Sequence, residues 1–267
     1  MPRTQEGSKV QIVETDSSAI ARERLLSEIK QDTEGLDLAR LERSYKNLGI
    51  PAHSYYLVFN ERDKKKVADI LKAYDLNDKV FLHKGWGTYY PELDLVLLIR
   101  KEKMEEANGS TYTESVLLHE WVHSTKQFAN TEYGQGWFFE EGFADLQRVK
   151  YLAHLPKKKQ ASSVDILVKV PIPETELSFK LPSKYVSVGE NGETTGIIPS
   201  IAAYGLEKLF AICPGLEQNL LEVRNGRQDL GSTKKLIDRV ALGLFDRLMK
   251  LDYTAKDFLK GLGMITP

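Results

Sequence analysis

Two histidines four residues apart, His119 and His123, are the side chains of this sequence best suited to metal chemistry. They belong to the segment His-Glu-Trp-Val-His, and on an α-helix this spacing places both imidazoles on one face, one turn apart. Two such imidazoles can bind one zinc ion, with Zn–N distances of about 2.0–2.1 Å. Glu120 lies about 100° further round the helix, where its carboxylate can take a proton from a zinc-activated water. The segment therefore predicts a hydrolytic zinc site.

A catalytic zinc ion usually has three protein ligands, and a second acidic segment offers the third. The sequence Glu-Glu-Gly-Phe-Ala-Asp begins at Glu140, and Glu141 and Asp145 lie four residues apart within it. On one helix face, one carboxylate can bind zinc while the other accepts the Nδ1–H of a ligand histidine. Glu140 is the alternative ligand if the register differs by one residue. The small residues Gly142 and Ala144 would let another helix approach closely.

Together the two segments, residues 119–145, resemble the gluzincin clan of zinc metallopeptidases, in particular the group called peptidase MA-like. A metzincin is excluded, because Lys126 and Ala129 occupy the positions of that class's glycine and third histidine. The resemblance implies a role for each of five residues: His119, His123 and Glu141 as zinc ligands, Glu120 as general base, and Asp145 as the carboxylate that orients the first histidine.

The resemblance also implies an activity, the zinc-dependent hydrolysis of bonds in a peptide or protein substrate. The sequence lacks an exopeptidase signature of the Gly-x-Met-Glu-Asn type, which favours an endopeptidase. In the clan an edge strand holds substrate by strand addition, and the strand-like segment Leu93–Ile99 occupies its place. A tyrosine from a later helix often stabilises the oxyanion. Tyr204 is the candidate here, and Tyr185 and His154 are weaker alternatives.

Two other functions fit the same residues. The first is a catalytically silent zinc-binding or interaction protein on a zincin-like fold, which would bind metal without turnover. The intact Glu120 speaks against it, because a degenerate site has no need of the base. The second is a helical regulator in which the histidine pair is accidental, and it predicts that His119, His123 and Glu141 do not converge.

The composition limits the kinds of metal site and of partner. The chain has 267 residues, a formal net charge of -1 and a single cysteine, Cys213. One cysteine excludes an intrachain disulfide and every metal site with several cysteines, so a transition metal must be bound by histidine and carboxylate. The balanced charge argues against a dedicated nucleic-acid binder. We expect no membrane span, because no apolar run approaches about 18 residues, and we expect no signal peptide and a cytoplasmic location. The oligomeric state is not predictable.

The elements that must position these residues follow from apolar spacing and turn residues. We expect an α+β, zincin-like fold, in which a small mixed sheet with an edge strand lies beside the His-Glu-x-x-His helix, and the C-terminal half is mainly helical. Thr111 and Glu114 form a capping-box pattern at the start of that helix. The chain is expected to contain a flexible tail, 1–16, and a single metallopeptidase unit, 17–267, divided into an α/β part, 17–155, a β-rich insertion, 156–198, and a helical part, 199–267. The insertion is hypothesised to cover the cleft.

More finely, helices are expected at 17–33, 36–48, 63–74, 113–129 and 137–154, and strands at 53–59, 79–83 and 92–99.

Overall fold

The computed structural model describes most of the chain, with gaps. The described residues are 16–47, 55–76, 87–100, 105, 111–125, 128, 136–155, 165–172, 175–185, 187–188, 194–195 and 197–251. The predicted tail, apart from Asp16, and the predicted strand at 79–83 lie outside these ranges. Among the described helices, none has the length and apolar character needed to cross a membrane.

The protein is a mixed α+β structure that is mostly helical, as the sequence predicts. The described helices, numbered here in chain order, are α1 (Asp16–Glu28), α2 (Leu38–Asn47), α3 (Lys64–Ala73), α4 (Thr111–His123), α5 (Trp137–Ala153), α6 (Ile197–Ile212), α7 (Leu216–Arg224), α8 (Leu230–Val240) and α9 (Leu244–Met249). The described strands are β1 (Tyr56–Asn60), β2 (Gly87–Tyr90), β3 (Leu95–Arg100), β4 (Asp165–Ile172), β5 (Thr175–Pro182), β6 (Ser187–Val188) and β7 (Thr194–Thr195).

The sheet that supports the site has the strand order β1-β3-β2. β1 pairs in parallel with β3, and β2 pairs antiparallel with it, with Gly87 opposite Leu98 and Tyr90 opposite Leu95. The prediction that Leu93–Ile99 is an edge strand is therefore wrong, because among the described strands β3 is central and β1 and β2 lie at the edges. The physical reason lies in the uninterrupted apolar sequence from Leu95 to Ile99, which is typical of a strand covered on both faces.

Alternate residues of β3 pack into two separate hydrophobic clusters. Leu95, Leu97 and Ile99 face a smaller cluster formed with α1 and α3. Val96 and Leu98 face the larger cluster, which contains the buried residues of α2 and of α4 to α9. The two-residue period of a strand thus makes β3 the boundary between the layers. The helices with the two sequence motifs belong to the larger cluster.

The first motif helix, α4, ends six residues earlier than its predicted limit at 129, since it stops at His123. Just beyond, the hydroxyl of Ser124 donates to the carbonyl of Trp121, and that of Thr125 donates to the carbonyl of Val122, at 2.7 Å each. Such local side-chain bonds compete with the helical backbone pattern. The two hydroxyls therefore help to end the helix directly after the second histidine.

The capping-box prediction at the start of α4 is wrong for Glu114. Its carboxylate is buried and accepts the backbone N–H of Asp37 at 2.8 Å and the guanidinium of Arg40 at 2.5 Å. The Tyr151 hydroxyl also donates to it. Glu114 therefore joins α2 and α5 to α4 instead of capping its own helix.

The second motif helix, α5, has nearly its predicted bounds and packs against α4 and α6. Gly142 makes the contact with α6 close, because a Cβ at this position would lie 3.0 Å from the carbonyl oxygen of Ala202. The prediction that a small residue here permits close helix approach is confirmed.

The strands predicted between 156 and 198 are also present. β4 and β5 form an antiparallel hairpin, and β6 pairs with β7. Helices α6 to α9 confirm the mainly helical C-terminal part. The hypothesis that the hairpin segment covers the cleft stays a prediction.

Candidate metal centre

The side chains of His119, His123 and Glu141 converge on one point between α4 and α5. The two Nε2 atoms lie 3.2 Å apart. Glu141 Oε2 lies 3.4 Å from Nε2 of His119, and Glu141 Oε1 lies 3.7 Å from Nε2 of His123. The side chains are mostly buried, with 12% of each histidine and 23% of Glu141 exposed. One ligand atom from each lies within 4.8 Å of the others, a grouping that could hold a metal ion.

The opposite nitrogen of each imidazole faces a different carboxylate. Nδ1 of His123 lies 2.6 Å from Glu140 Oε1, a hydrogen-bond distance. Nδ1 of His119 lies 3.7 Å from Asp145 Oδ1, which is an electrostatic contact without a direct hydrogen bond. The structure thus places Asp145 beside the first histidine, as expected. Glu141 is on the Nε2 side and Glu140 on the Nδ1 side, which favours Glu141 over Glu140 as the ligand.

Two buried arginines hold the carboxylates behind the histidines. Arg148 contacts Asp145 one turn away on α5, with Nε 2.5 Å from Oδ1. Arg224 comes from α7, and its Nη2 lies 3.0 Å from Glu140 Oε2. Burial disfavours ionisation, but the two arginines, together with the histidines, lower the pKa of Glu140 and of Asp145 to about 2. Both carboxylates are therefore charged at neutral pH.

Among the described residues, the net charge of the cluster depends on the protonation of Glu120 and of the two histidines. When its carboxylates are ionised and its histidines neutral, the cluster has two excess negative charges; its members are Glu120, Glu140, Glu141, Asp145, Arg148 and Arg224. Burial opposes protonation of His119, yet Asp145 and Glu141 raise its pKa to about 10. The pKa of His123 is also raised against the effect of burial, chiefly by Glu141 and Glu140. Two protonated histidines or one dication would supply the missing charge.

Glu120 lies beside the cluster and against the edge strand β2. Burial raises the pKa of its carboxyl group above the usual value, while a hydrogen bond from the backbone N–H of Tyr89 acts in the opposite direction. A Cβ at Gly87 would lie 2.9 Å from Cγ of Glu120 and 2.7 Å from Cδ1 of Leu98. Only a residue without a side chain fits this approach, so Gly87 lets the strand lie against Glu120.

The candidates for stabilising the oxyanion, Tyr204 and its two alternatives, have no described contact with the histidine pair. Tyr204 lies in α6, as predicted, and its ring contacts the Tyr185 ring and Lys208. None of the described contacts joins it to the histidines, and its oxyanion role stays a prediction. The hydroxyl of Tyr185, the first alternative, donates to Glu207 at 2.5 Å. The second alternative, His154, follows α5 and lies about 20 Å along the helix axis from Glu141, too far to act there.

Sequence reasoning missed Arg224 and the contact between Glu140 and His123. A signal for Arg224 exists, because Leu216, Leu220 and Arg224 are spaced four apart and share the buried face of α7. Apolar periodicity does not predict that an arginine on such a face is buried, since it depends on a distant partner. For Glu140, the sequence indicates only an alternative zinc ligand and not a partner of His123.

Comparison with protein families, with curated proteins and with solved structures found no match for the chain.

Proposed function

We propose that the protein is a zinc-dependent endopeptidase of the gluzincin type, with His119, His123 and Glu141 as zinc ligands. The observation that supports this most strongly is the convergence of three ligand atoms with Glu120 beside them. The substrate would be a peptide or a protein. The proposal extends to a zincin-like fold, in which a mixed sheet lies beside the two helices with the ligands.

The donor set and its spacing fit zinc. With Zn–ligand distances of about 2.0–2.1 Å, neighbouring ligand atoms of a tetrahedral site lie about 3.3–3.5 Å apart. The two histidine Nε2 atoms lie 3.2 Å apart, and the nearest Glu141 oxygens lie 3.4 Å from that of His119 and 3.7 Å from that of His123, close to these separations. Two histidines and one carboxylate are also a usual ligand set of catalytic zinc, which leaves one position open. A dication would in addition offset the excess negative charge of the cluster.

When bound, the metal supplies Lewis acidity, which lowers the pKa of water at the site and polarises a carbonyl group. Glu120 accepts a proton from the attacking water and returns it to the leaving amine. Burial suits this residue to both transfers, because it raises the carboxyl pKa toward the working pH. Tyr204 is proposed to stabilise the oxyanion, to which a bound metal would also contribute.

The strand β2 supports the choice of an extended peptide as substrate. Among the described strands it pairs only with β3, and we propose that its other edge binds the substrate as an added strand. Its residues Gly87 and Tyr89 approach Glu120, which would bring a peptide bound along the edge close to the base. We therefore assign to β2 the substrate-binding role that the sequence suggested for Leu93–Ile99.

Replacement of the base tests the proposal directly. Glu120→Gln keeps the shape of the side chain and removes its ability to accept a proton, so hydrolysis of a peptide library should fall by about 10²–10⁴-fold. The zinc content of the purified protein should stay at that of the wild type. The measurements are peptide cleavage by mass spectrometry and metal stoichiometry by atomic emission.

Glu114→Gln is the matched control, because it is the same substitution on the same helix at a carboxylate that faces Arg40. It should keep both zinc and activity. Activity retained in Glu120→Gln would remove Glu120 as base. Zinc bound by a wild type that cleaves no peptide would favour the catalytically silent zinc protein, and a wild type that binds no metal would favour the accidental motif.

A further inference from the structure

A buried ion pair, Glu140 with Arg224, lies behind the metal centre and has no part in the proposed chemistry. The Arg224 side chain is fully buried, and that of Glu140 is 7% exposed. The guanidinium also stacks over the Phe128 and Phe143 rings, 4.5 and 4.9 Å from their centroids. Replacing a buried ion pair by apolar residues is often neutral or stabilising. Stability alone therefore gives little reason for two charges here.

The contacts of Arg224 connect the two helices with the proposed ligands. Its Nη1 donates to the backbone carbonyl of Val122 at 2.9 Å and to the Thr125 hydroxyl at 2.8 Å. Its Nη2 lies 3.0 Å from Glu140 Oε2 and donates to the Glu140 carbonyl at 3.4 Å. Val122 directly precedes His123 at the end of α4, and Glu140 directly precedes Glu141 near the start of α5. One guanidinium thus sets the position of α4 relative to α5.

Both oxygens of Glu140 are used in this arrangement. Oε1 faces Nδ1 of His123 at 2.6 Å, and Oε2 accepts the backbone N–H of Phe128 at 2.9 Å. With Nδ1 directed at the carboxylate, Nε2 of His123 points toward His119 and Glu141. A carboxylate that accepts Nδ1–H fixes the tautomer and the ring orientation of a ligand histidine.

We propose that Glu140 and Arg224 are positioning residues, which hold His123 with Nε2 directed at the metal and fix its distance from Glu141. This inference rests on the proposed metal site. Helix α7 thereby contributes to metal affinity, although none of its described side chains belongs to the group that could hold the metal.

The test uses a double variant, Glu140→Gln with Arg224→Met, which removes both charges and keeps the side-chain volumes close to native. In glutamine an NH2 group replaces one of the two carboxylate oxygens, so either Nδ1–H of His123 or the N–H of Phe128 would face a donor instead of an acceptor. The dissociation constant for Zn²⁺ is measured by competition with a chromophoric chelator. We expect affinity to fall by about 10–100-fold, the usual effect of losing such a partner.

The matched control is Glu114→Gln with Arg40→Met, which removes another carboxylate–arginine pair, one that joins α2 to α4. That pair does not touch the histidines, and its loss should leave zinc affinity within about 3-fold of the wild type, below the range expected for an outer partner of the metal. Unchanged affinity in the Glu140/Arg224 variant would overturn the inference. An equal loss in both double variants would also overturn it, because the effect would then be general.

A second measurement reports on His123 itself. In protein with ¹⁵N-labelled histidine, the Nδ1–H proton of His123 should give a downfield, slowly exchanging resonance, both without metal and with Zn²⁺. The double variant should shift or lose this resonance, whereas the control pair should keep it. The same resonance in all three proteins would contradict a positioning role.

The two proposals can fail separately. If the wild type binds zinc and the double variant binds it more weakly, the inference holds even when no peptide is cleaved. If peptides are cleaved and the double variant keeps wild-type affinity and the wild-type resonance, the proposed function holds and the inference fails.

Discussion

The two histidines of the site lie one turn apart on the same helix, yet the carboxylates that face their Nδ1 atoms are held in different ways. His119 faces Asp145 at 3.7 Å, and Asp145 is paired with Arg148 from its own helix. His123 faces Glu140 at 2.6 Å, and Glu140 is paired with Arg224 from α7. The first support is local and loose, and the second is close and depends on a distant part of the chain. The C-terminal half therefore influences the site through one histidine more than through the other.

The largest expected effect is a difference in the free energy of unfolding between variants of the two arginines, Arg224 and Arg148. Arg224→Met leaves Glu140 buried without its cation and breaks the bond to the end of α4, so the free energy of unfolding should fall by about 3–5 kcal/mol. Arg148→Met also leaves a buried carboxylate, Asp145, without its cation, but it breaks no bond between helices, so we expect a loss at the lower end of that range, about 3 kcal/mol. Urea denaturation followed by circular dichroism measures both. Equal losses would mean that the long-range support is no stronger than the local one.

A smaller effect is expected from a variant that displaces Glu120, the proposed base, and leaves the carboxylates behind both histidines in place. Gly87→Ala places a Cβ where Cγ of Glu120 now lies 2.9 Å away, which displaces the base. A displacement of about 1 Å can cost about 10²-fold in rate, so kcat/KM should fall by up to that factor while zinc affinity changes little. Thr88→Ala, whose side chain points to the opposite face of β2, should change neither. Loss of zinc in Gly87→Ala would show that β2 also supports the ligands.

The smallest effect concerns the local support. Asp145→Asn removes a carboxylate that is 3.7 Å from Nδ1 of His119, and the zinc dissociation constant should rise by about 10-fold, the lower end of the range for such partners. The same chelator competition measures it beside Glu140→Gln, for which we expect a larger loss. An Asp145→Asn effect that exceeds the Glu140→Gln effect would reverse the order of the two supports.

The sequence predicted those parts of the site that depend on spacing within one helix. His119 and His123, and likewise Glu141 and Asp145, are four residues apart, and helical geometry alone places each pair on one face. The continuous apolar sequence of β3 also indicates a central strand, whereas the resemblance implies an edge strand at this place.

The contacts of Glu140 and Arg224 could not be predicted in this way. Arg224 is on the apolar face of α7, but its partners are the end of α4 and the start of α5, about 100 and 80 residues earlier. Periodicity describes a helix face and says nothing about which distant group meets it. The end of α4 at His123 likewise depends on side-chain bonds of Ser124 and Thr125 that compete with the helix.

The separation of 102 residues between Arg224 and Val122 has a consequence for the order of folding. During synthesis the chain emerges from its N-terminus, and contacts between distant residues form after local ones because a large loop must first close. The histidines and Glu141 can therefore reach their helices before the guanidinium that sets the two helices in place has been made. We expect a nascent chain that ends before α7 to bind zinc weakly and to acquire tight binding only when the remaining part, from Leu216 onward, has folded.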